Sequence, residues 1–218
     1  MSSNFIAPPK LVGHRIAASE NEPIDAALFE YLLAGNGVFV RAKRREFAVS
    51  LPLTVQKIFG LPNVLLGISW AKPQIASSIW QGILLHAQRK NTSTNFKEEV
   101  YLIYWDTILS EWRWRAAGRE HGWASTVADD RLPEYADCCI ELHTHPPGAL
   151  NFSRADDRDE LGKFRIFAIL IDIHGKPKIR FRCGVYDHLI PLPAVWVGEM
   201  PKGLIDLNEI DALVEMLS

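Results

Sequence analysis

The spacing of hydrophobic and polar positions changes several times along the chain, and each change predicts an element. Over residues 23–33, Ala27, Leu28, Tyr31 and Leu32 fall on one side of a helical wheel, and Gly35 and Gly37 follow as stop signals. A short helix is expected there. Residues 37–42 and 46–51 read as two strands joined by a basic tip, Lys43-Arg44-Arg45, and residues 63–70 as a further strand. Residues 1–22, with Pro8 and Pro9, read as irregular. Residues 1–72 are therefore expected to form a small N-terminal α+β extension.

From Pro73 the period lengthens. Ile75, Ala76, Ile79, Trp80, Ile83, Leu84 and Ala87 make one apolar stripe, so residues 73–88 predict a longer helix, followed by a polar loop over 89–95. Residues 100–104 form a short apolar run expected as a buried strand, and 112–115 alternate like a half-exposed one. Cys138–His145 is the next strand, and 153–163 a helix opening on Ser153. Residues 164–173 and 178–185 read as a hairpin around His174-Gly175-Lys176-Pro177, and 204–217 as an amphipathic tail helix. The order predicts an α/β or α+β domain over 73–218, with a central mixed sheet flanked by helices.

Composition narrows the function classes. The chain has 218 residues, with 48% apolar and 23% charged residues, which permits a sizeable core. Its net charge of -2 gives no global field for gathering nucleic acid or an anionic membrane. The start, MSSNFIAPPK, lacks a basic stretch followed by an apolar run, so no secretory signal is expected, and no apolar run is long enough to span a bilayer. Cys138 and Cys139 are strand neighbours pointing to opposite faces and should not pair with each other. With Cys183 they are expected as free buried thiols in a cytoplasmic protein.

The chemistry concentrates between Glu141 and Asp156. His143 and His145, two apart on a strand, aim two imidazoles the same way, and Pro146-Pro147-Gly148 ends the strand just beyond them. The chain then turns into the helix that Ser153 opens, with Asp156 in its first turn. A carboxylate returning to the two histidines would make a two-nitrogen, one-oxygen set with a fourth tetrahedral position open, the donor set of a catalytic zinc ion. Two histidines at this spacing also occur as structural or surface pairs, and Ser-x-x-Asp is equally a helix-start signature in which serine caps the backbone. For Ser153 the two readings are compatible, because free backbone N–H groups at a helix start also welcome an oxyanion.

The string His143-Thr144-His145, a gap from Pro146 to Phe152, then Ser153-Arg154-Ala155-Asp156 resembles the signature of the JAMM/MPN zinc metallopeptidases. The resemblance covers about residues 74–200. It implies a JAMM/MPN-like fold, with His143, His145 and Asp156 as metal ligands, Zn2+ as cofactor and Ser153 as oxyanion donor. Glu99, after the amphipathic helix and before a buried strand, fits the family's general base, with Glu98 its neighbour on the other face. Two positions depart from the pattern. Leu102 stands where a glycine is usual, and Glu141, two before the first histidine, stands where an aromatic is frequent. Glu141 shares a face with His143 and is a rival base or a supporting partner.

Over its length the chain also resembles a narrower bacterial group, the PRTRC system protein A proteins. That likeness implies hydrolysis of an amide or isopeptide bond at the C-terminal tail of a ubiquitin-like protein, with a ThiF-like activating enzyme as a further partner and no membrane or nucleic acid involved. Two other classes compete: a non-catalytic scaffold on the same fold, and a RadC-like DNA-associated protein, which the net charge disfavours.

Elsewhere, His86 reads as a structural histidine at the apolar edge of its helix, and His121, His174 and His188 lack ligand spacing. Lys43-Arg44-Arg45 reads as a solvated hairpin tip, and Trp105, Trp112, Trp114 and Trp123 as packing residues. Cys183, near Arg180 and Arg182 but with no histidine pairing in view, gives little support to a thiol mechanism.

Overall fold

The computed structural model describes residues 10–92, 96–118 and 127–208, and the chain divides into two units between Ala71 and Lys72. His121 and Trp123 lie outside the described residues.

In the first unit, β1 (Val12–Ile16), β2 (Phe29–Ala34), β3 (Gly37–Lys43), β4 (Phe47–Val55) and β5 (Gly67–Trp70) form a five-stranded sheet in chain order. β1 runs parallel to β2, and the other pairings are antiparallel. The helix expected over 23–33 does not form, because its second half is β2. Glu30, Leu32 and Ala34 are buried while Phe29, Tyr31 and Leu33 are half-buried, a period of two. The charge of Glu30 concealed that alternation. Its carboxylate is fully buried and faces the Arg41 guanidinium at 3.1 Å.

Residues 12–16, expected as irregular, take the parallel edge beside β2, and of the strand expected over 63–70 only Gly67–Trp70 forms. No helix occurs among the described residues of this unit, so the extension is a β unit rather than α+β. At the basic tip, Arg44 and Arg45 each place Nε within 2.8 Å of a Glu46 oxygen, which offsets one of their two charges.

The second unit carries α1 (Ser77–Lys90), β6 (Val100–Asp106), β7 (Glu111–Ala116), α2 (Pro133–Asp137), β8 (Cys138–His145), α3 (Arg154–Glu160), β9 (Lys163–Ile171), β10 (Lys178–Tyr186), β11 (His188–Leu192), α4 (Ala194–Val197) and β12 (Ile205–Asp206). Its seven-stranded sheet runs β11-β10-β9-β8-β6-β7, with β12 paired to β10. β8–β9 and β10–β12 are parallel and the rest antiparallel, so this is a mixed α/β sheet in which strand predominates.

β9 reads as a near-continuous apolar run because it is central and buried on both faces. α1 buries Trp80, Ile83 and Ala87, with Trp80 edge-on to Phe181. Its stripe was legible, although the helix starts at Ser77 rather than Pro73. Ile75 instead bridges to Gly198 outside the helix.

The tail helix expected over 204–217 is corrected at its start. Ile205–Asp206 extends the sheet beside β10, and the Asn208 side chain donates to the Phe181 carbonyl. Residues 209–217 of that expectation lie outside the described residues. All three cysteines are free and buried, and burial pushes the Cys183 thiol above its usual range. Among the described residues no helix is long and apolar enough to cross a membrane.

Candidate metal centre

Two parallel neighbours such as β8 and β9 cannot be joined by a tight turn, so the chain must cross over the sheet between them. That crossover carries α3, and it returns Asp156 to the end of β8. The turn that starts it, Pro146-Pro147-Gly148, uses a positive φ of 92° at Gly148, a conformation glycine adopts without a Cβ penalty. There the Ala149 carbonyl comes within 3.2 Å of His145 Nδ1. A neutral His145 that donates from Nδ1 to this carbonyl would turn its Nε2 lone pair toward the centre, whereas the protonated ring donates from Nε2 to Asp156.

The Nε2 atoms of His143 and His145 lie 2.9 Å apart. Asp156 Oδ1 is 3.3 Å from His143 Nε2, and Asp156 Oδ2 is 3.6 Å from His145 Nε2. Tetrahedral ligands about 2.0–2.1 Å from one ion stand roughly 3.3 Å from each other, so these three side chains are spaced as a group that could hold a metal ion. They are the group of ligand-type side chains found mutually close among the described residues.

Asp156 is held by a capping box. Its Oδ2 accepts from the Ser153 amide at 2.5 Å, while Ser153 Oγ accepts from the amides of Ala155 and Asp156 at 3.2 Å each. Both bonds at Oγ are accepted, so neither consumes the hydroxyl proton.

The electrostatics suit a cation. Burial disfavours the Asp156 carboxylate, but hydrogen bonds from His143 and His145, the His143 charge and the Ser153 amide outweigh it and hold Asp156 well below the usual carboxylate range. Burial pulls His145 down, yet its bonds to Asp156 and Ala149 and the charges of Asp156 and Glu98 leave it raised. Beside the ligands lies a small cleft of about 110 Å³, lined by Val100, Tyr135, Glu141, His143, Asp156 and Glu160 among others.

Two acidic residues stand just before β6, near the ligand end of β8. Val100 pairs with His143 at the end of the ladder, and beyond it the Thr144 amide donates to the Glu99 carbonyl while the Glu99 amide donates to the Thr144 hydroxyl. Thr144 points away from the histidines. The Glu99 charge acts on His86 and Tyr101. Glu98, one residue before it, is buried, and its charge acts on His145. Sequence spacing favoured Glu99, whereas burial and the field at His145 favour Glu98. Glu141 shares the histidine face as expected, but Arg165 Nη1 donates to it at 2.7 Å and Lys163 lies at 3.6 Å, so it is neutralised in place.

No protein-family model, no curated protein and no solved structure matches this chain. The centre must therefore be judged on its own geometry.

The other histidines and the tryptophans fall outside it. His86 Nδ1 lies 3.0 Å from the Tyr101 hydroxyl and His174 Nε2 2.9 Å from the Asn91 carbonyl, both structural contacts. Trp112 donates to the Pro73 carbonyl, and Trp114 packs against His86 and Tyr101. Sequence reasoning missed Arg182, whose Nε donates to Glu160 at 2.6 Å and whose Nη1 donates to Asp157 at 2.7 Å. Nothing local marks it, since its partners stand more than twenty residues away.

Proposed function

We propose that the chain is a JAMM-type zinc metallopeptidase that hydrolyses an amide or isopeptide bond at the C-terminal tail of a ubiquitin-like protein. The observation that carries this reading is the spacing of the His143, His145 and Asp156 donor atoms, 2.9–3.6 Å, at a strand end and helix start that carry the His-x-His and Ser-x-x-Asp strings. A zinc ion bound there would supply Lewis acidity and bring the pKa of water toward 7.

Glu98, whose charge acts on His145, is the group that takes a proton from water and returns it to the leaving amine. Ser153 donates a hydrogen bond from its hydroxyl to the oxygen that gains charge, a role whose loss typically costs about 100-fold or more. His143, His145 and Asp156 would hold the ion, with His145 oriented by the Ala149 carbonyl and Asp156 by the Ser153 amide. The free buried thiols fit a cytoplasmic setting, with a ThiF-like activating enzyme as a partner of the same system.

The test uses the zinc-loaded full chain and a ubiquitin-like protein carrying a C-terminal extension. Cleavage that a chelator stops and His143→Ala abolishes supports the reading. A chain that binds zinc stoichiometrically but cleaves no such extension or conjugate is a scaffold instead.

A further inference from the structure

α3 has seven residues, far fewer than an isolated helix needs to persist in water, yet it must hold Asp156 to within a fraction of an ångström. The capping box orders only its first turn. Something else must fix the helix against the sheet.

The strand registers show where that hold lies. Glu141 on β8 pairs with Phe167 on β9, and Phe167 with Arg182 on β10, so the three form one row across the sheet. The next row runs His143, Ile169, Arg180. Residues paired across a sheet share a face, which puts Arg180 and Arg182 on the same face as the histidines, two strands away. The crossover spans that distance.

Arg182 grips it at three points. Nε donates to Glu160 at 2.6 Å, Nη1 donates to Asp157 at 2.7 Å, and the guanidinium carbon stands 3.7 Å from the centre of the Phe152 ring. Phe152 in turn meets the His143 ring edge-on at 6.2 Å between centroids. Arg180 Nε adds a bond to the Leu150 carbonyl at 3.0 Å. Asp156 thus sits between a stacked residue on one side of the helix start and two gripped carboxylates on the other.

A planar guanidinium presents its donors in a fixed fork and stacks on an aromatic face at the same time, which an ammonium cannot do. The Arg182 side chain and its Glu160 partner are buried, while Asp157 is 48% exposed, so the guanidinium is held from the buried side and meets solvent only at Asp157.

We propose that Arg182 is a positioning residue for the metal centre: by clamping Phe152, Asp157 and Glu160 it sets the place of Asp156 relative to His143 and His145. The inference rests on the metal-centre reading above. Its effect passes through the third ligand, so metal affinity and ligand geometry register it directly.

The experiment measures zinc affinity of the full chain by chelator competition, and the visible spectrum of the cobalt-substituted protein, for wild type, R182K, R182M and F152L. R182M is expected to weaken zinc binding about 10–100-fold, with a cobalt spectrum altered in intensity from that of the wild type. R182K is expected to recover part of the affinity, because it keeps the charge and loses the fork. F152L, which removes only the stacked face and leaves the buried charges paired, is expected to weaken binding in the same direction, and it carries the test if R182M does not fold. Wild-type affinity and an unchanged cobalt spectrum in a folded R182M or in F152L overturn the clamp. Failure of the wild type itself to bind zinc or cobalt overturns the metal centre instead.

Discussion

A group that takes a proton from water beside His143 and His145 has to stand on their side of the sheet. The buried Glu98 is the glutamate whose charge acts on His145, while the Glu99 charge acts on His86 and Tyr101. E98Q is therefore expected to lower the turnover number about 100-fold or more while keeping its zinc, and E99Q to stay within a few-fold of wild type. Steady-state cleavage with metal analysis of both variants reads this, and the reverse ranking would return the role to Glu99.

The same centre sets a pH dependence. Asp156 is lowered from 3.8, so in the metal-free protein its stabilising share is present above that value and is lost as pH falls through its folded value. His145 is raised from 6.5, so its share is full below 6.5 and is lost as pH rises through its folded value. The stability difference between metal-free wild type and H145N, from denaturant melts, should be largest between those two limits and shrink in alkali. Zinc requires the neutral imidazole, so its apparent affinity should rise with pH by about tenfold per unit for each proton displaced. An affinity flat from about pH 5.5 to 8 would contradict the ligand assignment.

At the level of elements, the crossover does two jobs: it joins parallel strands and it returns a carboxylate to the strand it left. S153A removes the cap at the point where both jobs meet. The loss expected is about 1 kcal/mol of stability, with weaker zinc binding as Asp156 loses its anchor, and S153T should restore most of both. Thermal melts and chelator competition on the two variants measure it.

This part of the site was legible in the sequence because each half is local. Two histidines at strand spacing and a serine with an aspartate at helix-start spacing announce themselves within a few residues. The choice between Glu98 and Glu99 depends on burial and on the field at His145, and the Arg182 contacts on pairings 22 and 25 residues apart, which no local pattern carries. The fold divides in the same way. Cys138–His145 and the stripe of α1 were readable, whereas β2 was taken for a helix because buried Glu30 broke its alternation, and β12 because two residues joining a sheet edge look like the start of an amphipathic turn.

On the scale of the molecule, two sheets divide the chain, and their central strands are buried differently. The seven-stranded sheet hides an apolar strand, β9, beside the ligand strand. The five-stranded sheet hides an ion pair, Glu30 with Arg41. Removing one member of a buried pair strands the other, so E30A should destabilise the first unit by on the order of 3 kcal/mol, read as a lowered denaturant midpoint.

Every chemical role assigned here, from Glu98 to Arg182, presupposes that His143, His145 and Asp156 bind one ion. The most direct measurement is the metal content of the purified chain, wild type beside H143A and D156A. The account predicts about one zinc per wild-type chain, removable by a chelator and restored by added zinc, and much less in either variant. A folded wild type that carries no zinc and takes none up, or variants that keep as much zinc as wild type, would contradict it.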